Sequence, residues 1–398
     1  MREGWKKYKL GDVARLLKKQ YSPNQEDDLA YIGLEHIEQQ TLRLNGIGKS
    51  SKVTSQKFKF SSGDILFGKL RPYFRKVYRP KFDGVCSTDI WVVRAKEGFE
   101  QGFLFYFVAN QDFINESNSG SSGTRMPRAD WGHLSKTEWN IPESIEVQRR
   151  IAAILSVLDD KIEMNRQTNQ MLEAIAQAIF KEWFVDFRFP GATGEMQESE
   201  LCPIPKGWRV GKLGEIYKTT SGGTPSRSKP EFYKNGTIYW VKSKELNGSF
   251  ITETEEKITQ EALQKSSAKL LPAYSVLIAM YGATVGEFGI ISMEATCNQA
   301  ICAFLSCDQF PYTFIYHFLK NSKDEIISRA VGSAQQNISQ DLLKQIDVVL
   351  PPKELLKRFH KAVNPLFQVI ENNIKQSATL AAIRDALLPK LINGEIEV

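Results

Sequence analysis

The chain has 398 residues, 42 % of them hydrophobic and 25 % charged, with a net charge of +6. That length accommodates two or three domains, each with its own core, and the composition is that of an ordinary soluble protein rather than a disordered one. Five cysteines without a C-x-x-C pair give no sign of a disulfide framework, so a reducing cytoplasm fits.

In chain order, the opening "MREGWKKYKL" carries no apolar run and predicts no signal peptide. Residues 1–143 then alternate short β-rich runs, such as "GDILFGKL" (63–70) and "STDIWVVRA" (87–95), with short helical patterns. This module carries 23 Lys/Arg against 17 Asp/Glu, an excess that mildly favours a polyanionic partner. Residues 144–187 follow with apolar positions Val147, Ile151, Ile154, Leu158, Ile162, Leu172, Ile175, Ile179 and Trp183. Steps of three or four predict a long coiled-coil helix whose seam turns polar at its centre, at Asn165 and Asn169. Residues 188–206, rich in Pro, Gly, Ser and Glu, read as a linker.

The rest of the chain repeats this order. Gly4-Trp5 and "KLGD" return as Gly207-Trp208 and "KLGE", and "FLFYFVAN" from Phe103 returns as "FIYHFLKN" from Phe314. Residues 207–352 form a second module, with 16 Lys/Arg against 14 Asp/Glu over 201–352. Residues 353–398 form a second helix with its seam at Leu355, Phe359, Ala362, Leu366, Ile370, Leu380, Ile383, Leu387 and Leu391. Its polar centre is Asn373 and Ser377, and Pro365 predicts a kink or local break. Asn165 and Asn373 are the midpoints of their seams, so an antiparallel pair brings them together and fixes register at some cost in stability. The fold class expected is mixed α/β: two globular domains and two long helices forming an antiparallel coiled coil, with an internal pseudo-twofold repeat.

Motifs for catalysis are missing. "GIGKS" (46–50) imitates a phosphate-binding loop, but its first glycine is replaced by Arg43. His36, His133, His317 and His360 are scattered, and Cys297, Cys302 and Cys307 lack a histidine cluster and read as buried thiols. The apolar run 270–286 contains Pro272, Gly282 and Gly286 and is too short for a membrane span. No metal, cofactor or membrane is expected.

The stretch "IPESIEVQRRIAAILSVLDDKIEMNRQTNQMLEAIAQAIFKEWFVDF" (141–187) resembles the central region of specificity subunits of type I restriction–modification enzymes. "PIPKGWRVGKLGEI" (203–216) resembles the opening of their second module, and "LPKLINGEIEV" (388–398) their C-terminus. The resemblance implies a non-catalytic subunit whose two target-recognition domains each read one half of a gapped double-stranded DNA site. It further implies that the helices set the gap and dock two methyltransferase subunits, and that motor-nuclease subunits join for cleavage. A freestanding DNA-modifying enzyme and a coiled-coil scaffold are the competing readings.

For DNA reading, the first module offers Lys69, Arg71, Arg75 and Lys76 around Tyr73 and Phe74, and Thr124, Arg125 and Arg128 on a second loop. Arginine forks favour guanine N7 and O6, so a guanine-containing first half-site is expected. The second module offers Tyr281 and Thr284 opposite the first loop, and Gln335, Gln336 and Asn337 opposite the second. Thr224, Arg227 and Lys229 add to them. Amides suit adenine N6 and N7, so the two halves should differ and the site should be asymmetric.

Overall fold

The computed structural model describes residues 3–121, 126–330 and 337–398. Its chain divides into two compact units: Met1–Glu163 with Ala378–Val398, and Met164–Ser377. Both dividing points fall inside helices, Ile145–Phe184 and Lys353–Ile392, each of 40 residues. Each unit therefore contains one module, the N-terminal part of one long helix and the C-terminal part of the other.

In the first unit, Ala14–Leu17, Ile90–Ala95, Ile65–Gly68 and Val77–Tyr78 form an antiparallel sheet in that order. A second sheet runs Gln20–Tyr21, Lys57–Phe60, Gly84–Cys86, Ala30–Ile32, Gly48–Lys49, with Ala30–Ile32 and Gly84–Cys86 parallel. Trp5–Lys9 pairs with Glu138–Pro142 and closes the module. The second unit repeats the core of this topology, with Phe250–Ile251 added parallel to Phe288–Ile291 and three strands in its other sheet. Lys218–Ser221, Ile301–Leu305, Val276–Ala279 and Phe288–Ile291 are antiparallel neighbours, and Ile238–Val241 lies parallel to Ala295–Cys297. Arg209–Lys212 pairs with Asp347–Leu350 as the closing ribbon. The unbroken apolar runs "ILF" and "VLIA" become strands covered on both faces, and every residue of Ile65–Gly68 and Val276–Ala279 is buried.

Within each unit the two helix segments run antiparallel. In the first, Asp159 meets Arg384; in the second, Asn165 meets Ser377 and Phe180 meets Phe359. The modules pack onto both segments at once. Phe103, Leu104 and Phe107 share a core with Ile151, Leu155, Leu388 and Leu391. Phe314, Ile315 and Tyr316 share another with Ala176, Phe180, Phe359, Val363 and Phe367.

That shared packing corrects the predicted seam. Ile154, Ile175, Ala362 and Ile383 are exposed, while Leu155, Ala176, Phe180, Val363, Phe367 and Leu388 are buried instead. A two-helix seam repeats every 3.5 residues, whereas these helices must also cover the flank against which a module lies. Pro365 does not break its helix, which is continuous from Lys353 to Ile392; proline removes one backbone hydrogen bond, and burial of Val363 and Phe367 on the same stretch offsets it. The linker is partly structured: Met196–Gln197 pairs with Ile204–Pro205, and the Phe187 and Phe189 rings lie 5.5 and 5.1 Å from Trp208. Cys297 and Cys302 are buried and their thiols are pushed up to about 12 by desolvation, but Cys307 is exposed, contrary to expectation.

Phe359 is fully buried, with Phe184 5.0 Å away and Trp183 5.9 Å away. Phe359→Ala is expected to lower stability in denaturant melts of the full chain by about 3–5 kcal/mol, whereas Ile175→Ala on the exposed face should change it by under about 1 kcal/mol. Similar losses for both would contradict this division of the helix surface.

Candidate nucleic-acid interface

Two separated stretches of the first module meet beyond strand Ile65–Gly68. Leu70 and Arg128 form an antiparallel bridge, the Arg71 N–H donates to Pro127 O at 2.8 Å, and the Ala129 N–H donates to Lys69 O at 2.9 Å. Lys69, Arg71 and Arg128 are thereby brought together. Between Arg71 and Arg75, both in left-handed backbone conformation with φ of 51° and 48°, the short turn Pro72–Phe74 carries Tyr73 outward, 43 % exposed. The Arg128 Nε donates to Asp89 Oδ1 at 3.3 Å while the side chain stays half-exposed. Beside this junction opens a cleft of about 530 Å³ lined by Lys18, Lys69, Trp91, Arg128 and Trp131, the two indoles edge to face at 5.7 Å. Lys18, Trp91 and Trp131 were not foreseen, because they come from three stretches that no linear spacing connects.

Arg75 and Lys76 do not face outward as predicted. Arg75 is 7 % exposed and its Nη2 donates to Asp385 Oδ1 at 3.2 Å. Lys76 Nζ donates to Leu34 O, and burial lowers its pKa. The chain reverses at Arg75 to enter strand Val77–Tyr78, and both cations are engaged by the protein itself. Thr124, Arg125, Gln335 and Gln336 lie outside the described residues.

The second module has the same construction with different chemistry. Tyr281 and Asn337 form the bridge equivalent to Leu70 and Arg128, and the Ile338 N–H donates to Met280 O at 2.7 Å. Asn337 is exposed; Tyr281 is half-buried, and desolvation raises its phenol pKa. Thr284 lies in the adjoining turn, where its carbonyl accepts from the Glu287 N–H at 2.9 Å. Gly286 follows with φ 78°, and a Cβ there would lie 2.6 Å from Ile327 Cγ1, so this turn requires glycine.

Arg227 is held elsewhere: its Nη1 and Nη2 donate to the two Glu256 oxygens at 2.5 and 3.3 Å, and its guanidinium lies 4.3 Å from the Tyr233 ring centroid. The Thr224 hydroxyl donates to Gln299 Oε1. Lys229 is exposed, its ammonium 5.1 Å from the Phe232 ring centroid. The polar helix centre is also assembled. Asn165, 2 % exposed, donates through Nδ2 to Gln376 Oε1 at 2.9 Å, Ser377 Oγ at 3.2 Å and Asn373 O at 3.4 Å. Asn373 Nδ2 donates to Asn169 Oδ1 at 2.9 Å.

Among the described residues, none group as a metal site and no helix is long and apolar enough to cross a membrane. The model of the type I restriction modification DNA specificity domain matches twice, over residues 2–174 and 205–380. The chain belongs to this family. Each matched stretch of the specificity domain is one module with most of its following helix, the repeat read above. The chain is similar to the type I restriction enzyme HindI specificity subunit of Haemophilus influenzae, 27 % identical over 463 residues and covering 98 % of this chain and 99 % of that protein. It is 32 % identical to the MjaIX specificity subunit of Methanocaldococcus jannaschii over 308 residues, covering 76 % and 71 % of the two chains. The solved S subunit from M. genitalium shares the fold with a TM-score of 0.59 at 16 % identity, covering 97 % of this chain and 96 % of that one. As a specificity subunit the chain supplies DNA sequence recognition rather than catalysis, which sets aside the scaffold and freestanding-enzyme readings.

Glu256 takes both Arg227 and Lys242, the latter at 2.8 Å, and these hydrogen bonds hold its carboxyl down to about 2 from 4.5. The unfolded chain binds this proton first as pH falls, so the contribution of Glu256 is complete above about pH 4.5 and lost towards pH 2. Glu256→Gln is expected to lower the melting temperature at pH 7 and to flatten the loss of stability across that window. An unchanged acid melting profile would contradict it.

Proposed function

We propose that each module reads one half of an asymmetric, gapped double-stranded DNA site, and that the paired helices fix the gap and dock two methyltransferase subunits. Motor-nuclease subunits complete the cleaving assembly, which works in the cytoplasm. The recognition domains are 1–143 and 207–352, the helices 144–187 and 353–398, and 188–206 links the halves. The observation that carries this reading is the equivalence of the two loop junctions, Leu70 with Arg128 and Tyr281 with Asn337, on modules of one topology.

Their chemistry divides the work. Lys69 and the cleft cation Lys18 supply phosphate contacts, and Arg71 and Arg128 supply forked donors for guanine. Arg128 already donates to Asp89, so a base must compete with a half-exposed carboxylate, which rejects weak partners as well as welcoming the right one. In the second module Asn337, with Gln335 and Gln336, offers the paired donor and acceptor that adenine presents in the major groove. Tyr281, bridged to Asn337, and Thr284 in the adjoining turn lie beside it, and Thr224 and Lys229 add contacts to the DNA backbone. Arg227, clamped by Glu256, shapes its loop instead of contacting a base. Asn165, Asn169, Asn373 and Ser377 set the register of the helices.

Arg128→Ala is expected to relax discrimination at one half-site only, and Asn337→Ala at the other, each by roughly 1–3 kcal/mol. Competition binding between duplexes that differ by single base pairs measures both. Equal relaxation of both halves by either variant would overturn the division.

A further inference from the structure

The turn at 69–76 holds two non-glycine residues, Arg71 and Arg75, in left-handed backbone conformation. Such a conformation is costly for a residue with a Cβ and persists only where its surroundings hold it. From the module side, Gln40 does part of this: its Nε2 donates to Tyr73 O at 3.1 Å and its N–H to Phe74 O at 3.3 Å. The other hold comes from a residue 310 positions away in sequence, Asp385 on the second long helix, which accepts from Arg75 Nη2.

Asp385 Oδ1 also accepts from Arg384 Nε at 3.2 Å and Nη2 at 3.1 Å. Arg384 is 1 % exposed and reaches across to Asp159 Oδ1 on the first long helix at 2.6 Å, and the Tyr106 hydroxyl donates to the other Asp159 oxygen at 2.7 Å. Arg43 adds a further positive charge beside Arg384. Three cations thus crowd a junction in which Arg75 and Arg384 are buried, and one oxygen of Asp385, whose side chain remains 42 % exposed, serves both of them. Without its negative charge Arg75 has no other charged partner among the described residues to keep it inside, and the turn that presents Lys69, Arg71 and Tyr73 loses its inner anchor.

We propose that Asp385 is a positioning residue for recognition of the first half-site: through Arg75 it sets the 69–76 turn from a helix that lies outside the first module in sequence. This rests on the reading of that turn as a DNA contact. It follows that residues 1–143 do not carry their specificity alone, and that exchanging this module between subunits preserves the recognised sequence only when Asp385 is retained.

The test uses the full chain co-purified with its methyltransferase subunits. Competition binding maps single-base discrimination in both half-sites, and thermal unfolding is recorded in parallel. Asp385→Asn and Arg75→Ala should each reduce discrimination in the first half-site by about tenfold and leave the second unchanged, while Arg75→Lys, which keeps the charge, should retain part of it. Leu388→Ala, in the same core but away from the ion pair, should lower the melting temperature without relaxing discrimination. First-half discrimination that survives Asp385→Asn and Arg75→Ala, or that Leu388→Ala relaxes equally, would overturn the proposal. A wild-type complex with no two-part site would instead overturn the reading on which it rests.

Discussion

Within each unit, the antiparallel pairing of segments from the two 40-residue helices is the constraint on which the rest of that unit depends. Neither helix would be secure alone in water, because helical stability in proteins comes mainly from packing an apolar face. Here that packing is shared three ways. Leu155 and Leu388 lie in one core with Phe103 and Phe107, and Phe180 and Phe359 in another with Phe314. Each module's core therefore includes side chains from both ends of the sequence repeat. The polar centre adds specificity of register: sliding one helix by a turn would separate the buried Asn165 amide from Gln376 and Ser377, at a cost of about 1–3 kcal/mol for an unsatisfied buried group.

On this frame, one topology is used twice with different loop chemistry. The bridge between a loop after a buried strand and the segment before a short helix is kept in both modules, so the main chain of the proposed reading surface is set by the fold. What changes is the side chains it carries: forked cations in the first and amides with a phenol in the second. Burial and internal hydrogen bonds then decide which cations remain available, since Arg128, although paired with Asp89, keeps its side chain half-exposed. Arg75, Lys76 and Arg227 are all committed within the protein, whereas Lys69 and Arg128 remain at the surface cleft.

Much of this was legible in the sequence because periodicity and repetition are local signals. The two helices, the doubled order of elements and the meeting of Asn165 with Asn373 all follow from spacing. Which helix positions are exposed did not follow, because Ile154 and Ile383 sit on seam spacing and their burial depends on where a module lies. Charge alone misplaced Arg75 and Arg227: their partners Asp385 and Glu256 lie 310 and 29 residues away, and only the fold joins them. The Trp91 and Trp131 cleft had no linear signature for the same reason.

The proposed role of the helix pair, measuring the distance between two half-sites, is tested directly by lengthening it. Forty residues span roughly 60 Å at ~1.5 Å per residue. Matched insertions of four residues, after Gln170 in the first helix and Val369 in the second, add ~6 Å and keep the apolar faces nearly in phase, leaving the asparagine cluster intact. At ~3.4 Å per base pair, the methylated motif in DNA from cells co-expressing this chain with its methyltransferase should gain one or two base pairs in its gap, with both half-sites unchanged. A motif with the original gap, or with altered half-sites, would contradict the account.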